Sequence, residues 1–258
     1  MKAIQLNAFG EADVLEVSDI EIPVPGDDEV LIKVAAAGVS FVDVRQRIGL
    51  YNRAETRVGG VTFPHVPGSQ AVGKVVGLGP AADRALWGRK VVTHVRKGAY
   101  AEYLIAPSSD CVAVPDDADD AMLAAIPMQG LTAYCLLTAS TVLKSGESIL
   151  VHAAGGGVGS IAVQIAKIMG ASPVIATAAT QEKREYALTM GADFAIDYER
   201  PDWPVRYDRR RAAVVWMYCW SRSAGTCSNR ISNAWPTSDA ASSLDQPVAP
   251  ENLSSHVA

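Results

Sequence analysis

Ser148-Ile149-Leu150-Val151-His152-Ala153-Ala154-Gly155-Gly156-Gly157-Val158-Gly159, continuing through Ser160 to Ala171 as SIAVQIAKIMGA, is the stretch on which the fold turns. Ser148–His152 reads as a buried parallel strand, and Gly155–Gly159 as a glycine turn. Val158, Ile161, Ala162, Ile165, Ile168 and Met169 then recur at helical spacing, with Gln164 and Lys167 on the other face and Gly170 as the stop. Strand, glycine turn and helix form the opening unit of a dinucleotide-binding fold. Glycine at 156 and 157 lets the backbone approach a diphosphate. The free N–H groups and positive dipole end of the helix attract its charge. Gly159 lets helix and strand pack closely. The spacing is AxxGxxG, at Ala153, Gly156 and Gly159, rather than GxGxxG. Glycine turns also join strands to helices for structural reasons alone, so the context decides.

Downstream, Pro173–Thr177 reads as a second strand, Thr180–Met190 as a second helix stopped by Gly191, and Phe194–Tyr198 as a third strand. That is βαβαβ, one mononucleotide-binding half. Upstream, Ala3–Leu6, Leu15–Val17 and Val30–Ala37 alternate like strands, and a short helix is expected around Val42–Ile48. Glycine-broken apolar pairs from Gln70 to Gly79, followed by strands at Gly88–Val92 and Gly98–Tyr103, suit a curved, barrel-like sheet. Ala121–Ile126 and Gly130–Leu137 read as two helical pieces. Residues 1–120 are thus expected to be a glycine-punctuated β domain, 121–207 a partial dinucleotide domain, and 208–258 something else.

The bulk properties narrow the function. The chain has 258 residues, nearly half of them apolar, enough for a substantial core. A net charge of −5 argues against nucleic acid as a partner. Met1–Gln5 lacks a signal-peptide layout and no apolar run reaches membrane-spanning length, so a cytoplasmic location without membrane partners is expected. Cys111, Cys135, Cys219 and Cys227 are scattered without CxxC spacing and read as reduced thiols.

Five segments together resemble the medium-chain dehydrogenase/reductase superfamily, in its zinc-free quinone oxidoreductase branch. They are Gly38-Val39-Ser40-Phe41-Val42-Asp43, Pro67–Gly73 (PGSQAVG), Gly98–Tyr103 (GAYAEY), Gln129–Tyr134 (QGLTAY) and Val151–Gly159 (VHAAGGGVG). Where zinc enzymes of the superfamily carry a cysteine and a GHE segment, this chain has Ser40, Ser69 and Gln70, poor Zn²⁺ ligands beside thiolate and imidazole. His65 and His94 are single histidines. No metal is expected.

The resemblance implies a GroES-like β-barrel catalytic domain beside an incomplete Rossmann domain, and homodimers. It implies an NADPH-dependent enzyme passing hydride to a quinone or another activated alkene or carbonyl. Alternatives are a reductase of enoyl thioesters and a non-catalytic NADPH-binding protein. Ser40 stands where quinone reductases carry asparagine near the nicotinamide, and Tyr51 matches an active-site tyrosine. Asp43 is read as structural. Thr132 matches a cofactor position, and Ala153, Gly156, Gly157 and Val158 form the diphosphate turn. Thr180 follows the second strand; Lys183 and Tyr198 match the family's contacts to the 2′-phosphate. Independently, Ala176–Thr180 contains no acid to accept from a ribose 2′-hydroxyl, so nothing there repels a 2′-phosphate.

After Asp208 the character changes. Only Gly225 of the 21 glycines lies beyond it, against three of the five tryptophans, Trp216, Trp220 and Trp235. Back-translated and read from the third codon base, Val215–Trp220 permits Val-Asp-Val-Leu-Leu, and Trp235–Asp239 permits Leu-Ala-Asp-Val-Gly. Both resemble the family segments expected at these places. A reading-frame shift between about Asp208 and Val214 is the expectation. The chain would then supply only three parallel strands, leave Ser148–His152 as a bare apolar edge, and be impaired in stability and activity.

Overall fold

A computed structural model describes residues 1–52, 60–200 and the backbone of 212–215. The expectations for the remainder of 208–258 lie outside the described residues.

The first half is antiparallel. β1 (Lys2–Gln5) and β2 (Glu16–Asp19) form a ribbon. β3 (Glu29–Ala37) runs into α1 (Phe41–Arg47), and β4 (Gln70–Leu78), β5 (Lys90–His94), β6 (Tyr103–Pro107) and β7 (Cys111–Ala113) follow. The last four join β3 in an antiparallel sheet of order β6-β3-β4-β5-β7, in which β3 itself pairs with β4 and β6. Val30 and Ile32 of β3 are fully buried while Lys33 between β3's apolar positions faces out, the period-2 alternation of a half-covered sheet. Register slips between β3 and β4 at Leu31/Ile32 and Val34/Ala36 curl the sheet. The sequence pattern places a strand at Gly98–Tyr103, but β6 begins only at Tyr103. The N–H groups of Gly98, Ala99 and Tyr100 are taken by the carbonyls of Val66, Gly68 and Pro67, so this stretch is a loop tied to the segment before β4.

α2 (Asp120–Cys135) is one helix where the sequence suggests two pieces. Asp119 caps it, accepting from Met122 N–H at 2.7 Å. Pro127 lies inside it and has no N–H to give. The next N–H, that of Met128, is satisfied by the Gln70 side chain, whose Oε1 accepts at 3.0 Å. The interruption is bridged from β4, so the helix continues. With a wider turn at Leu136–Ser140, it spans 21 residues, Asp120–Ser140, long and apolar enough by length and composition to cross a membrane. That corrects the expectation that no apolar run is so long. In this fold the helix packs on α3, β3 and β4.

The second half is parallel: β8 (Ser148–Val151), α3 (Gly157–Ile168), β9 (Val174–Thr177), α4 (Gln181–Thr189), β10 (Phe194–Ile196) and β11 (Ala212–Val215). Strand order is β10-β9-β8-β11. β11 overturns two expectations at once. The chain supplies a fourth parallel strand, and β8 is covered on both sides, with Ala212 opposite Ser148 through Val215 opposite Val151. Ala212-Ala213-Val214-Val215, in the frame as written, is a short apolar run of the kind that fills a buried parallel strand. Numbered within this sheet, the order is 3-2-1-4, with the direction of winding reversing between β8 and β11.

The helix face also differs from the periodicity reading. Ile168 is 84% exposed, while Ala162, Val163 and Ala166 are the buried residues against Ile149, Val151, Val174 and Ala176. Close packing of a helix on a parallel sheet selects small side chains at the contact and leaves the larger Val158, Ile161 and Ile165 at its margins. At the far end of β9, burial raises the Asp193 carboxyl, but the Val174 N–H and Lys167 outweigh it and hold the pKa below its ordinary value.

Candidate functional site

The carboxyl ends of β8, β9 and β10 meet at one edge of the parallel sheet. Two residues past the end of β8 stands Ala153, whose φ of +53° is unusual for a residue with a Cβ. Its carbonyl accepts from Gly156 N–H at 2.9 Å and closes the turn. Ala154 N–H donates to Thr177 O at 2.9 Å, tying the turn to the end of β9. α3 starts at Gly157 with Gly156 as its cap. The N–H groups of Gly157, Val158 and Gly159 have no protein acceptor among the described residues; the first paired donor is Ser160, to Gly156 O at 2.9 Å. Three amides at a helix start thus face outward together, the ordinary arrangement for holding an anion.

The glycines fit this turn for different reasons. A Cβ on Gly159 would stand 2.5 Å from Ala153 O and 2.7 Å from Ala154 Cα. Gly159 is therefore what lets α3 lie against the end of β8, as its spacing implies. A Cβ on Gly155 would stand 2.5 Å from Lys183 Cβ, so the turn and the first turn of α4 touch. Gly157 abuts Gln129 Cγ, at 3.1 Å from where a Cβ would be, which brings α2 to the turn.

Thr180 caps α4, its Oγ1 accepting from Lys183 N–H at 3.3 Å. Lys183 is exposed, and its ammonium has no partner among the described residues. Tyr198 is half-buried, with its ring 5.2 Å from that of His152. The structure therefore gathers Ala153, Gly156, Gly157, Val158, Thr180, Lys183 and Tyr198 on one edge. Thr132 lies on the neighbouring α2; its hydroxyl donates back to Met128 O at 2.6 Å.

Four residues at this edge are not singled out by sequence reasoning. His152 is 4% exposed, and its Nδ1 meets the Thr177 hydroxyl. Burial pushes its pKa down to about 4, so the ring is neutral and brings no charge to the edge. Arg184 Nη1 donates to Ala178 O and Ala179 O at 3.2 and 2.6 Å and pairs with Asp197 Oδ2 at 3.1 Å. A carboxylate-free β9 end is visible in the sequence; a carboxylate delivered there from β10 is not.

Ser40 and Tyr51 lie in the antiparallel half, before and after α1. Asp43 Oδ2 accepts from Ser40 N–H at 2.7 Å, from Ser40 Oγ at 2.8 Å and from the Tyr100 hydroxyl at 3.0 Å. Asp43 is thus a structural hub, as expected, and the Ser40 hydroxyl is committed to it. Burial and the Asp43 carboxylate push the Tyr100 hydroxyl far above its usual range, so it stays a donor. The Tyr51 ring lies under the Arg45 guanidinium, 5.2 Å from its centroid. Asp43→Asn is expected to lose about 2 kcal/mol of stability and Ser40→Ala about 1 kcal/mol, read from urea unfolding, because each removes buried charge-assisted hydrogen bonds. Equal stability of both variants and the parent would exclude this role.

Among the described residues no three His, Cys, Asp or Glu side chains gather as a metal cluster. Ser69 and Gln70 are both buried, and Gln70 serves the helix bond described above.

Two family models match the chain: an alcohol dehydrogenase GroES-like domain over residues 26–116 and a zinc-binding dehydrogenase over 157–212. Human quinone oxidoreductase is 39% identical over 194 residues, 74% of this chain and 57% of its own length, so the chain spans little more than half of such relatives. The quinone oxidoreductase of Coxiella burnetii is 30% identical, with 83% of this chain and 67% of that one aligned at a TM-score of 0.73. That of Escherichia coli, solved complexed with NADPH, is 28% identical, with 88% and 69% covered at a TM-score of 0.78.

Proposed function

Because the chain belongs to the zinc-independent quinone oxidoreductase branch of the medium-chain dehydrogenase/reductase superfamily, we propose that it binds NADPH at the carboxyl edge of β8–β10. When bound there, NADPH supplies a hydride to a quinone or other activated alkene or carbonyl. Residues 1–120 are the catalytic unit in this reading, and 121–207 with β11 the dinucleotide unit.

One observation carries it: the amides of Gly157, Val158 and Gly159, unpaired among the described residues, follow a turn that touches the stem of Lys183, whose ammonium is likewise unpaired among them, at the strand where the winding reverses. The amides fit a diphosphate and the ammonium a further phosphate. In this assignment Lys183 and Tyr198 hold the 2′-phosphate, with Thr180 fixing the first turn of α4 beneath it. Gln129 and Thr132 on α2 wall the diphosphate turn. Ser40 and Tyr51 face the acceptor. Their task is orientation and exclusion of water, since an electron-poor acceptor needs little further activation. The family match ending at residue 212 coincides with the proposed break in reading frame. Sequencing the DNA around codons 205–216 tests that break; an alternate frame full of stops would exclude it.

Fluorescence titration of the full chain tests the site. Saturable NADPH binding is expected, tighter than NADH. Lys183→Ala should weaken NADPH by about tenfold or more, a charge-assisted phosphate contact, with NADH unchanged. No binding of either nucleotide, or equal binding of both, would overturn the proposal.

A further inference from the structure

We propose that Arg184 decides the preference between phosphorylated and unphosphorylated dinucleotides, by keeping the Asp197 carboxylate neutralised beside the end of β9. The inference rests on the NADPH reading above and deepens it.

The sequence of the β9 end, Ala176–Thr180, carries no acid. The structure nevertheless brings one there. Asp197 follows β10, and Ala178 N–H donates to Ile196 O at 3.0 Å, so the segment after β10 runs alongside the segment after β9. A carboxylate in that neighbourhood favours a ribose 2′-hydroxyl and repels a 2′-phosphate. Here both its oxygens are engaged. Oδ1 accepts from Glu199 N–H at 3.0 Å, and Oδ2 meets Arg184 Nη1 at 3.1 Å.

The same Nη1 holds the carbonyls of Ala178 and Ala179, so a single guanidinium fixes the loop and cancels the acid. The pair is largely shielded, with side-chain exposures of 22% for Arg184 and 26% for Asp197, so its charges are screened less than a surface pair's. Lys183, Arg184 and Asp197 sum to one positive charge facing the loop. Without Arg184 they sum to zero, with a carboxylate newly free to accept a hydroxyl. All three contacts are made by one nitrogen, Nη1, so the loop carbonyls and the acid share a single positive group.

The test is a double-variant cycle on the full chain, reading dissociation constants for NADPH and NADH separately. Arg184→Ala should weaken NADPH by about tenfold and leave NADH unchanged or tighter, inverting the preference; coupling between directly paired groups is of this size. Asp197→Asn alone should tighten NADPH without affecting NADH. Combining the two should restore most of the lost NADPH affinity, since the acid that Arg184 opposes is gone. A purely structural role for Arg184 would weaken both nucleotides alike and would not be rescued by Asp197→Asn; that result overturns the inference while leaving the NADPH site standing. If Arg184→Ala does not fold, Asp197→Asn decides alone, and an unchanged NADPH-to-NADH ratio there counts against it. A parent protein that binds neither nucleotide removes both readings.

Discussion

Gly159→Val is expected to abolish dinucleotide binding and to destabilise the parallel half by more than the about 1–3 kcal/mol of ordinary overpacking. The reason is which atoms are in the way. The new Cβ would fall 2.5 Å from Ala153 O and 2.7 Å from Ala154 Cα, both backbone. A side-chain end could swing aside; these atoms can move only if α3 backs off the end of β8 or the turn is remade. Either change carries away the Gly157 and Val158 amides, because they sit in the same first turn. Gly156→Ala is the control. Its φ of −97° suits any residue, and its Cβ would meet only Ala153 O, at 3.3 Å. That variant should keep its stability within about 1 kcal/mol. Urea unfolding and NADPH titration of both variants check the pair, and parent-like behaviour of Gly159→Val would show that the helix can retreat freely.

A second large effect is a loss of stability on acidification from about pH 6.5 to 4, before most carboxylates titrate. His152 has an ordinary pKa of 6.5 and a folded value of about 4, lowered by burial. Within that window the unfolded chain binds the proton and the folded one does not, so stability falls as pH falls. Above 6.5 neither form is charged and the contribution is fully present; below 4 both are, and the loss stops growing. The span corresponds to about 3 kcal/mol. His65 acts in the same direction, lowered by burial and then by Lys97. His152→Gln keeps a polar partner for Thr177 but cannot titrate, and should flatten most of the slope. Measuring unfolding free energy at half-unit pH steps distinguishes the two; superimposable profiles would remove His152 as the cause.

The legible parts of this molecule were those whose cause is local. Gly159 follows from strand, turn and helix lying within a few residues. Lys183 is named through the family resemblance, together with Tyr198 and the acid-free Ala176–Thr180 stretch; by itself it reads only as a solvated helix face. Asp43 is readable only as structural; that it caps α1 together with Ser40, three residues before it, is seen in the structure. Where distant residues decide, the sequence was silent. Asp197 reaches Arg184 only because β10 lies beside β9, and nothing in the twelve intervening residues announces it. The helix through Pro127 depends on Gln70, on another sheet. β11 eluded a reading based on family pattern because the expected glycine-aspartate signature is missing, although four apolar residues suffice to fill the ladder. The buried stripe of α3 departs from its apolar periodicity because close packing on the sheet selects Ala162 and Ala166 and leaves Ile168 outside.

The bond from Met128 to Gln70 has a mechanical consequence. It joins the one helical turn that cannot hold itself to the first residue of a strand in the other sheet. Sliding or swinging of α2 relative to the curled sheet must keep that bond near its present length or expose a stranded amide in a water-poor seam. A side-chain amide on β4 thus holds the place in α2 that the helix's own backbone leaves open at Pro127.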